Sequence, residues 1–236
     1  GKEFVVEADE YDTAFFDKRS KFVHYLPELV ILNNIEFDHA DIYKDLEEIK
    51  TSFRRLLNIV PGEGMVLVNA DDPNCVDVSK NCPAPLVEVG FSENAANQIR
   101  APRQKDGVSS FELFEQTFEV PLVGEFNIRN AAMAVSAAHF YGIPVPEIQK
   151  ALASFKGIKR RQEIRGVVGG VTIIDDFGHH PTAIRATLTA LRGRYPEASL
   201  WAVFEPRSNT TRRAIFQNDL PRAFEQADGA FIAEIA

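Results

Sequence analysis

Two short acidic segments near the start of the chain hold the residue types from which a metal–phosphate site is built: Glu7-Ala-Asp-Glu10-Tyr-Asp12 and Asn33-Asn34-Ile-Glu36-Phe-Asp38-His39. Each follows an apolar run that reads as a buried strand, Phe4-Val5-Val6 before the first and Leu29-Val30-Ile31-Leu32 before the second. In open α/β sheets ligands sit at the carboxyl ends of the strands. Mg²⁺ takes hard oxygen donors, keeps several waters and needs only one or two protein carboxylates beside substrate phosphates. Glu7 suits that role by type and place, whereas the His39 imidazole is more typical of Zn²⁺ and other transition metals. A plainer reading stands beside this one, with Asp9, Glu10 and Asp12 as a solvated loop and His39 as a capping or core histidine.

Three further segments carry polar chemistry, and a fourth follows the last strand. Gly124-Glu-Phe-Asn127-Ile-Arg-Asn130 puts two amides on one face of a first helical turn; Asn127 reads as a helix cap, and Asn130 is open between a structural role and a ligand such as a purine edge. Lys159-Arg160-Arg161 is either a solvated basic cluster or a phosphate fork, since guanidinium binds phosphate bidentately. Asp175-Asp176-Phe-Gly178-His179-His180-Pro181 again ends a strand and enters a helix. Neighbouring histidines do not easily chelate one ion, so Asp176 reads better as an acceptor for a sugar hydroxyl than as part of a Zn²⁺ site. Phe204-Glu-Pro-Arg207-Ser-Asn-Thr210 closes the next strand with polar residues that could face a ligand.

The elements that must position these groups alternate between strand and helix. Leu46, Ile49, Phe53, Leu56 and Leu57 recur at helical spacing within a helix predicted over 41–60. Strand 65–68 follows the turn Pro61-Gly-Glu-Gly64 and ends at Asn69-Ala-Asp71-Asp72-Pro73. From about Cys82 to Val120 the pattern turns strand-rich, with 109–114 and 117–123 predicted as antiparallel elements. Helices are predicted over 127–141, closed by Gly142, and over 146–155. A break at Gly166–Gly170 precedes strand 171–174, helix 181–195 and strand 200–204, an order that predicts a second parallel sheet. A domain boundary is placed near 165–170.

Composition narrows the class. The 236 residues are 45% hydrophobic and 25% charged, as in an ordinary globular protein, with material for one large or two modest domains. A net charge of −8 offers no basic stripe and argues against nucleic-acid binding. No apolar run is long enough for a membrane span, and no signal peptide is visible. Cys75 and Cys82 read as reduced thiols of a cytoplasmic protein rather than a disulfide framework. The chain starts without Met just ahead of one apolar run and stops inside another, Ala230-Phe-Ile-Ala233, which predicts a piece of a longer protein. It contains no Gly-x-x-x-x-Gly-Lys-Ser/Thr loop, no Gly-x-Ser-x-Gly elbow and no Cys-x-x-Cys pair, so nucleophilic serine or cysteine chemistry has little support and no catalytic nucleophile is assigned.

In this order the segments resemble the Mur ligase family. The carriers are Glu7-Ala-Asp-Glu10, Asn34-Ile-Glu36-Phe-Asp38-His39, Asn69-Ala-Asp-Asp-Pro73, Gly124-Glu-Phe-Asn127-x-x-Asn130-Ala-Ala and Asp175-Asp176-Phe-Gly-His179-His180-Pro-Thr182. The stretches from Tyr11 to Tyr25, from Asn33 to Ala40 and Glu205-Pro-Arg-Ser-Asn-Thr210 are most similar to the members that recycle murein peptide.

The resemblance implies an α/β chain holding the later part of a central ATPase domain, residues 1–166, without its P-loop. That part combines a parallel sheet and helices with a small antiparallel portion. Residues 167–236 would be the first half of a Rossmann-like C-terminal domain. It implies Glu7 and His39 as Mg²⁺ ligands, Asn130 against adenine, Arg161 at the ATP phosphates and Asp176 near the ribose. The implied reaction is an ATP-dependent amide ligation in which the lactyl carboxylate of UDP-N-acetylmuramate becomes an acyl phosphate. The amine of L-alanyl-γ-D-glutamyl-meso-diaminopimelate then displaces phosphate. Phe53 stands nearest to where some relatives carry a carbamylated lysine, and Phe126 where many have His, so neither role is carried over. The alternatives are a biosynthetic relative that adds L-alanine and, from another class, a metal-dependent hydrolase using His39, His179 and nearby acids. Without the P-loop, the 236 residues alone are expected to show no turnover and weak or absent ATP binding.

Overall fold

The computed structural model describes residues 3–8, 10–13, 17, 19–206 and 216–234. The chain divides into two compact units, Gly1–Gln98 and Ile99–Ala236.

The first unit is built on a parallel sheet of order β1-β2-β3-β4, with β1 Leu29–Leu32, β2 Met65–Asn69, β3 Leu86–Gly90 and the short β4 Asn97–Gln98. Parallel strands buried by helices read as continuous apolar runs, and Val66, Leu67 and Val68 are accordingly buried. Helix α1, Leu46–Leu57, lays Ile49, Leu56 and Leu57 into the same core as Val66, Val68 and Val78. It is shorter than the predicted 41–60 because Asp45 caps it, its carboxylate accepting the Glu48 amide, while Ile42 and Tyr43 close turns onto the His39 carbonyl. Helix α2, Pro73–Ser79, escaped the sequence reading. Asp72 caps it and Pro73 occupies its first turn, a pairing of cap and proline that signals a helix start.

One predicted strand is corrected. Residues 3–8 are irregular and exposed, Phe4 and Val5 at 90% and 93%. Apolar character alone does not make a strand; it needs a ladder partner, and β1 stands at an edge of its sheet with β2 as its neighbour.

In the second unit, β5 Arg100–Lys105, β6 Val108–Leu113 and β7 Gln116–Val120 form the expected antiparallel meander, with Phe111 opposite Phe118 and both rings buried. Helix α3, Glu125–Phe140, and helix α4, Val145–Ala153, follow. Strand β8, Glu163–Val168, then pairs antiparallel with β9, Val171–Asp175, through a Gly169-Gly170 turn whose φ values of 57° and 81° glycine adopts without strain. A boundary at 166/167 therefore falls inside a hairpin. Helix α5, Pro181–Arg194, leads to β10, Trp201–Phe204; the short α6, Leu220–Ala223, leads to β11, Gly229–Ile232. The predicted parallel pairing of strand 171–174 with strand 200–204 is corrected: β9 is taken by its hairpin partner β8, and β10 pairs in parallel with β11 instead.

Candidate functional site

The second acidic segment is held by the turn that leaves β2. The buried Asn69 side chain donates from Nδ2 to the Asn33 carbonyl at 2.5 Å and accepts the Asp71 amide at 3.0 Å. Asp72 accepts the Asn74 and Cys75 amides on one oxygen and the Ile35 amide, at 3.2 Å, on the other. Asn74 returns a bond from Nδ2 to the Ile35 carbonyl at 2.8 Å. Asp71 turns the other way and accepts the Phe91 and Ser92 amides just past β3. The Asn69–Pro73 segment thus positions backbone: it fixes the exit of β1 and so the start of the loop that carries His39.

His39 sits in the left-handed region, with φ of 53°, a conformation in which His is enriched among non-glycine residues. Its Nε2 lies 2.6 Å from Oε1 of Glu10 and its ring is 4.2 Å from that of Tyr11, centroid to centroid. Burial works against the charged imidazole, but the hydrogen bond to Glu10 and the Asp38, Glu10 and Asp41 carboxylates outweigh it and hold the pKa above the ordinary value. Tyr43 completes the join, its hydroxyl donating to the Glu10 carbonyl and sharing a 2.8 Å hydrogen bond with Ser20. The structure therefore brings Glu10, set aside in the sequence as a loop acid, to His39, while Glu7 lies exposed in the irregular segment before it. Asp9 lies outside the described residues.

Carboxylate oxygens are the donors that a sparsely coordinated hard cation takes from a protein. Among the described residues no three His, Cys, Asp or Glu side chains converge in the manner of a closed metal centre. Of the ligands expected from the sequence, His39 is paired with Glu10 at 2.6 Å, and Glu7 stands in the exposed irregular segment. The thiols are not part of it. Both cysteines are free, and burial, reinforced by the Asp72 carboxylate, pushes the Cys75 thiol well above its usual range.

In the second unit, Asn130 is exposed on α3. The cap of α3 is Gly124, with φ of 105°, and not Asn127 as expected from the sequence. Asn127 instead donates from Nδ2 to the Val123 carbonyl at 2.8 Å, because Gly124 already occupies the half-in position and Asn127 lies within the first turn. A Cβ at Gly124 would meet the Phe126 ring at 2.6 Å and the Ala190 methyl at 3.0 Å.

Arg161 and Asp176 are neighbours through backbone. Asp176 accepts the Gln162 amide at 2.9 Å and the Gly178 amide at 2.7 Å, one on each carboxylate oxygen. The Phe177 amide donates to the Arg160 carbonyl at 2.8 Å, and the Phe177 ring centre lies 4.8 Å from the Arg160 guanidinium and 5.6 Å from that of Arg161. Arg160 also pairs with Asp175 at 3.7 Å. His180 is the cap of α5, accepting the Thr182 amide, and its ring packs edge-on against Phe216; the adjacent His179 stands against Phe177. These histidines are engaged separately, and among the described residues no group of three His, Cys, Asp or Glu that could hold a metal ion forms here. Of the last polar segment, Arg207–Thr210 lies outside the described residues, as do Ala14–Phe16 and Lys18 of the Tyr11–Tyr25 stretch.

Comparison with known proteins agrees with this arrangement of motifs. The Mur ligase middle domain model matches residues 2–138, and the model described as Mur ligase, glutamate ligase domain, matches 160–234. The UDP-N-acetylmuramate–L-alanyl-γ-D-glutamyl-meso-2,6-diaminoheptandioate ligase of Escherichia coli K12 is 45% identical over 99% of this chain, and that of Haemophilus influenzae 43% over 98%. The chain spans 52% of the length of either. The crystal structure of a murein peptide ligase from Psychrobacter arcticus superposes with a TM-score of 0.67 and 37% identity, covering 97% of this chain and 48% of that one. The chain belongs to the Mur ligase family.

Proposed function

We propose that this chain is part of an ATP-dependent ligase joining L-alanyl-γ-D-glutamyl-meso-diaminopimelate to UDP-N-acetylmuramate in cytoplasmic peptidoglycan recycling. The observation that carries the reading is the 43–45% identity, along almost the whole chain, to two ligases whose names specify that pair of substrates. No helix among the described residues is long and apolar enough to cross a membrane, consistent with soluble substrates.

Each site residue then has a task. Glu7 and His39 hold Mg²⁺, which when bound neutralises charge on the transferring phosphoryl group. Asn130 meets adenine, Asp176 the ribose and Arg161 the phosphates, the guanidinium fork matching phosphate geometry. Glu10 orients the His39 ring through the 2.6 Å contact, in the way that an outer carboxylate fixes a ligating imidazole. The chemistry asked of the protein is positioning and charge neutralisation: ATP phosphorylates the lactyl carboxylate, and the tripeptide amine displaces phosphate to form the amide.

The test supplies full-length protein with ATP, Mg²⁺, UDP-N-acetylmuramate and the tripeptide, and follows UDP-linked tripeptide by mass. Product formation supports the reading. Acceptance of L-alanine in place of the tripeptide redirects it to the biosynthetic relatives, and turnover without ATP overturns it. His39→Ala is expected to raise the Mg²⁺ concentration needed for half-maximal rate.

A further inference from the structure

We infer that Asp176, beyond any contact with a ribose, is the positioning residue that sets Arg161. The inference rests on the ATP reading above for what Arg161 binds, but its geometry stands by itself. Arg161 is flanked by two residues in left-handed backbone, Arg160 with φ of 59° and Gln162 with φ of 49°. Such conformations are unfavourable for side-chain-bearing residues and persist only where the surroundings hold them. One set of holding groups comes from the three residues that follow β9. The Asp176 carboxylate takes the Gln162 amide at 2.9 Å, the Phe177 amide ties the Arg160 carbonyl at 2.8 Å, and the Phe177 ring lies beside both guanidinium groups. Its second oxygen, bound to the Gly178 amide at 2.7 Å, fixes the carboxylate itself.

The arrangement brackets Arg161 on both sides in sequence. Glu163 adds a brace by accepting the Arg160 amide at 2.8 Å, and the Arg161 amide closes onto the Ile158 carbonyl at 3.2 Å. Gln162 is 8% exposed, and its side-chain Nε2 has no hydrogen-bond partner. The energetic cost of burying that amide is accepted here together with the strained backbone. A segment this unfavourable locally is held in register for what it carries, and the residue it presents outward is Arg161, which is exposed. Asp176 therefore acts on phosphate recognition through Arg161's backbone.

Two measurements separate positioning from direct contact. In hydrogen exchange on the full-length protein, Asp176→Ala is expected to speed exchange in the peptides covering 158–164 and 176–180, with the rest of the chain unchanged. Asp176→Asn, which keeps one acceptor oxygen, is expected to fall between the two and to serve if the alanine variant does not fold. Unchanged exchange in 158–164 for both overturns the inference. In calorimetry, a ribose contact alone weakens adenosine and ATP equally. Positioning costs ATP about tenfold more than adenosine, as loss of a charge-assisted bond would, and the Arg161→Ala, Asp176→Asn double variant binds ATP more weakly than Arg161→Ala by no more than the factor that Asp176→Asn costs adenosine. Equal losses for the two ligands, or additive losses in the double variant, overturn it. If the unmodified protein binds neither ligand, the ATP reading falls, while the exchange comparison still decides whether Asp176 holds the Arg161 segment.

Discussion

The phenol of Tyr43 donates to the backbone carbonyl of Glu10 at 2.5 Å, so a residue just after the second acidic segment pins the first one in place. The same hydroxyl shares a bond with the buried Ser20. Tyr43→Phe keeps the ring but leaves both partners short of a hydrogen bond. It is expected to cost about 1–3 kcal/mol and to make residues 10–20 easier to cleave. Denaturant midpoints and limited proteolysis read the two effects; a stability loss with unchanged cleavage would show that the bond does not hold the segment.

Asn69 is the buried polar residue that joins the end of β2 to the exit of β1. Asn69→Ala removes an acceptor for the Asp71 amide and a donor for the Asn33 carbonyl together, with an expected loss of about 1–3 kcal/mol. Asn69→Asp, which can accept but not donate, is expected to retain only the Asp71 bond. Urea unfolding that gives identical midpoints for the wild type and the alanine variant would refute this account.

Asp77 of α2 sits among Lys50, Lys80 and Arg54, at 2.6, 3.0 and 2.9 Å. Hydrogen bonds from Lys50 and then Lys80 hold its carboxyl well below the usual range. Because the folded-state pKa is depressed, the stabilisation is present above the unfolded value of about 3.9 and is lost as pH falls toward the folded one. The stability gap between wild type and Asp77→Asn is thus expected to be larger near neutral pH than in acid. Denaturation midpoints of both proteins at the two pH values test it, and a pH-independent gap would count against an ionic origin.

Gly124→Ala combines a positive φ with a steric collision against Phe126 and Ala190. A loss of about 1–3 kcal/mol is expected from the backbone conformation alone, with the collision adding to it. Thermal melting reads the total. A neutral result would mean that the α3 cap can move, and the Phe126→Ala background would then show no difference either.

The sequence disclosed those elements whose physics is local and repetitive. Helix α1 announced itself through Leu46, Ile49, Phe53, Leu56 and Leu57, and β6 and β7 through their paired apolar runs. What it hid depends on partners far along the chain. Phe4-Val5-Val6 looks like β1 in composition and differs in lacking a ladder, which no local pattern records. Strand β9 reads the same whether it joins β10 or β8; only the Gly169-Gly170 turn hints at the hairpin. Glu10 was indistinguishable from its neighbouring acids until the fold set it against His39. Asp71 and Asp72 stand side by side in the chain yet bind backbone 20 and 37 residues away.

That last pair makes the exit of β2 a mechanical junction. Asp72 grips the loop toward His39 and Asp71 grips the turn beyond β3, from adjacent positions on one backbone. A ligand or partner that shifts Phe91 and Ser92 would pull on the same short crossbar that anchors Ile35. Strain entering at the turn beyond β3 would then reach the His39 loop directly, without any core side chain having to repack.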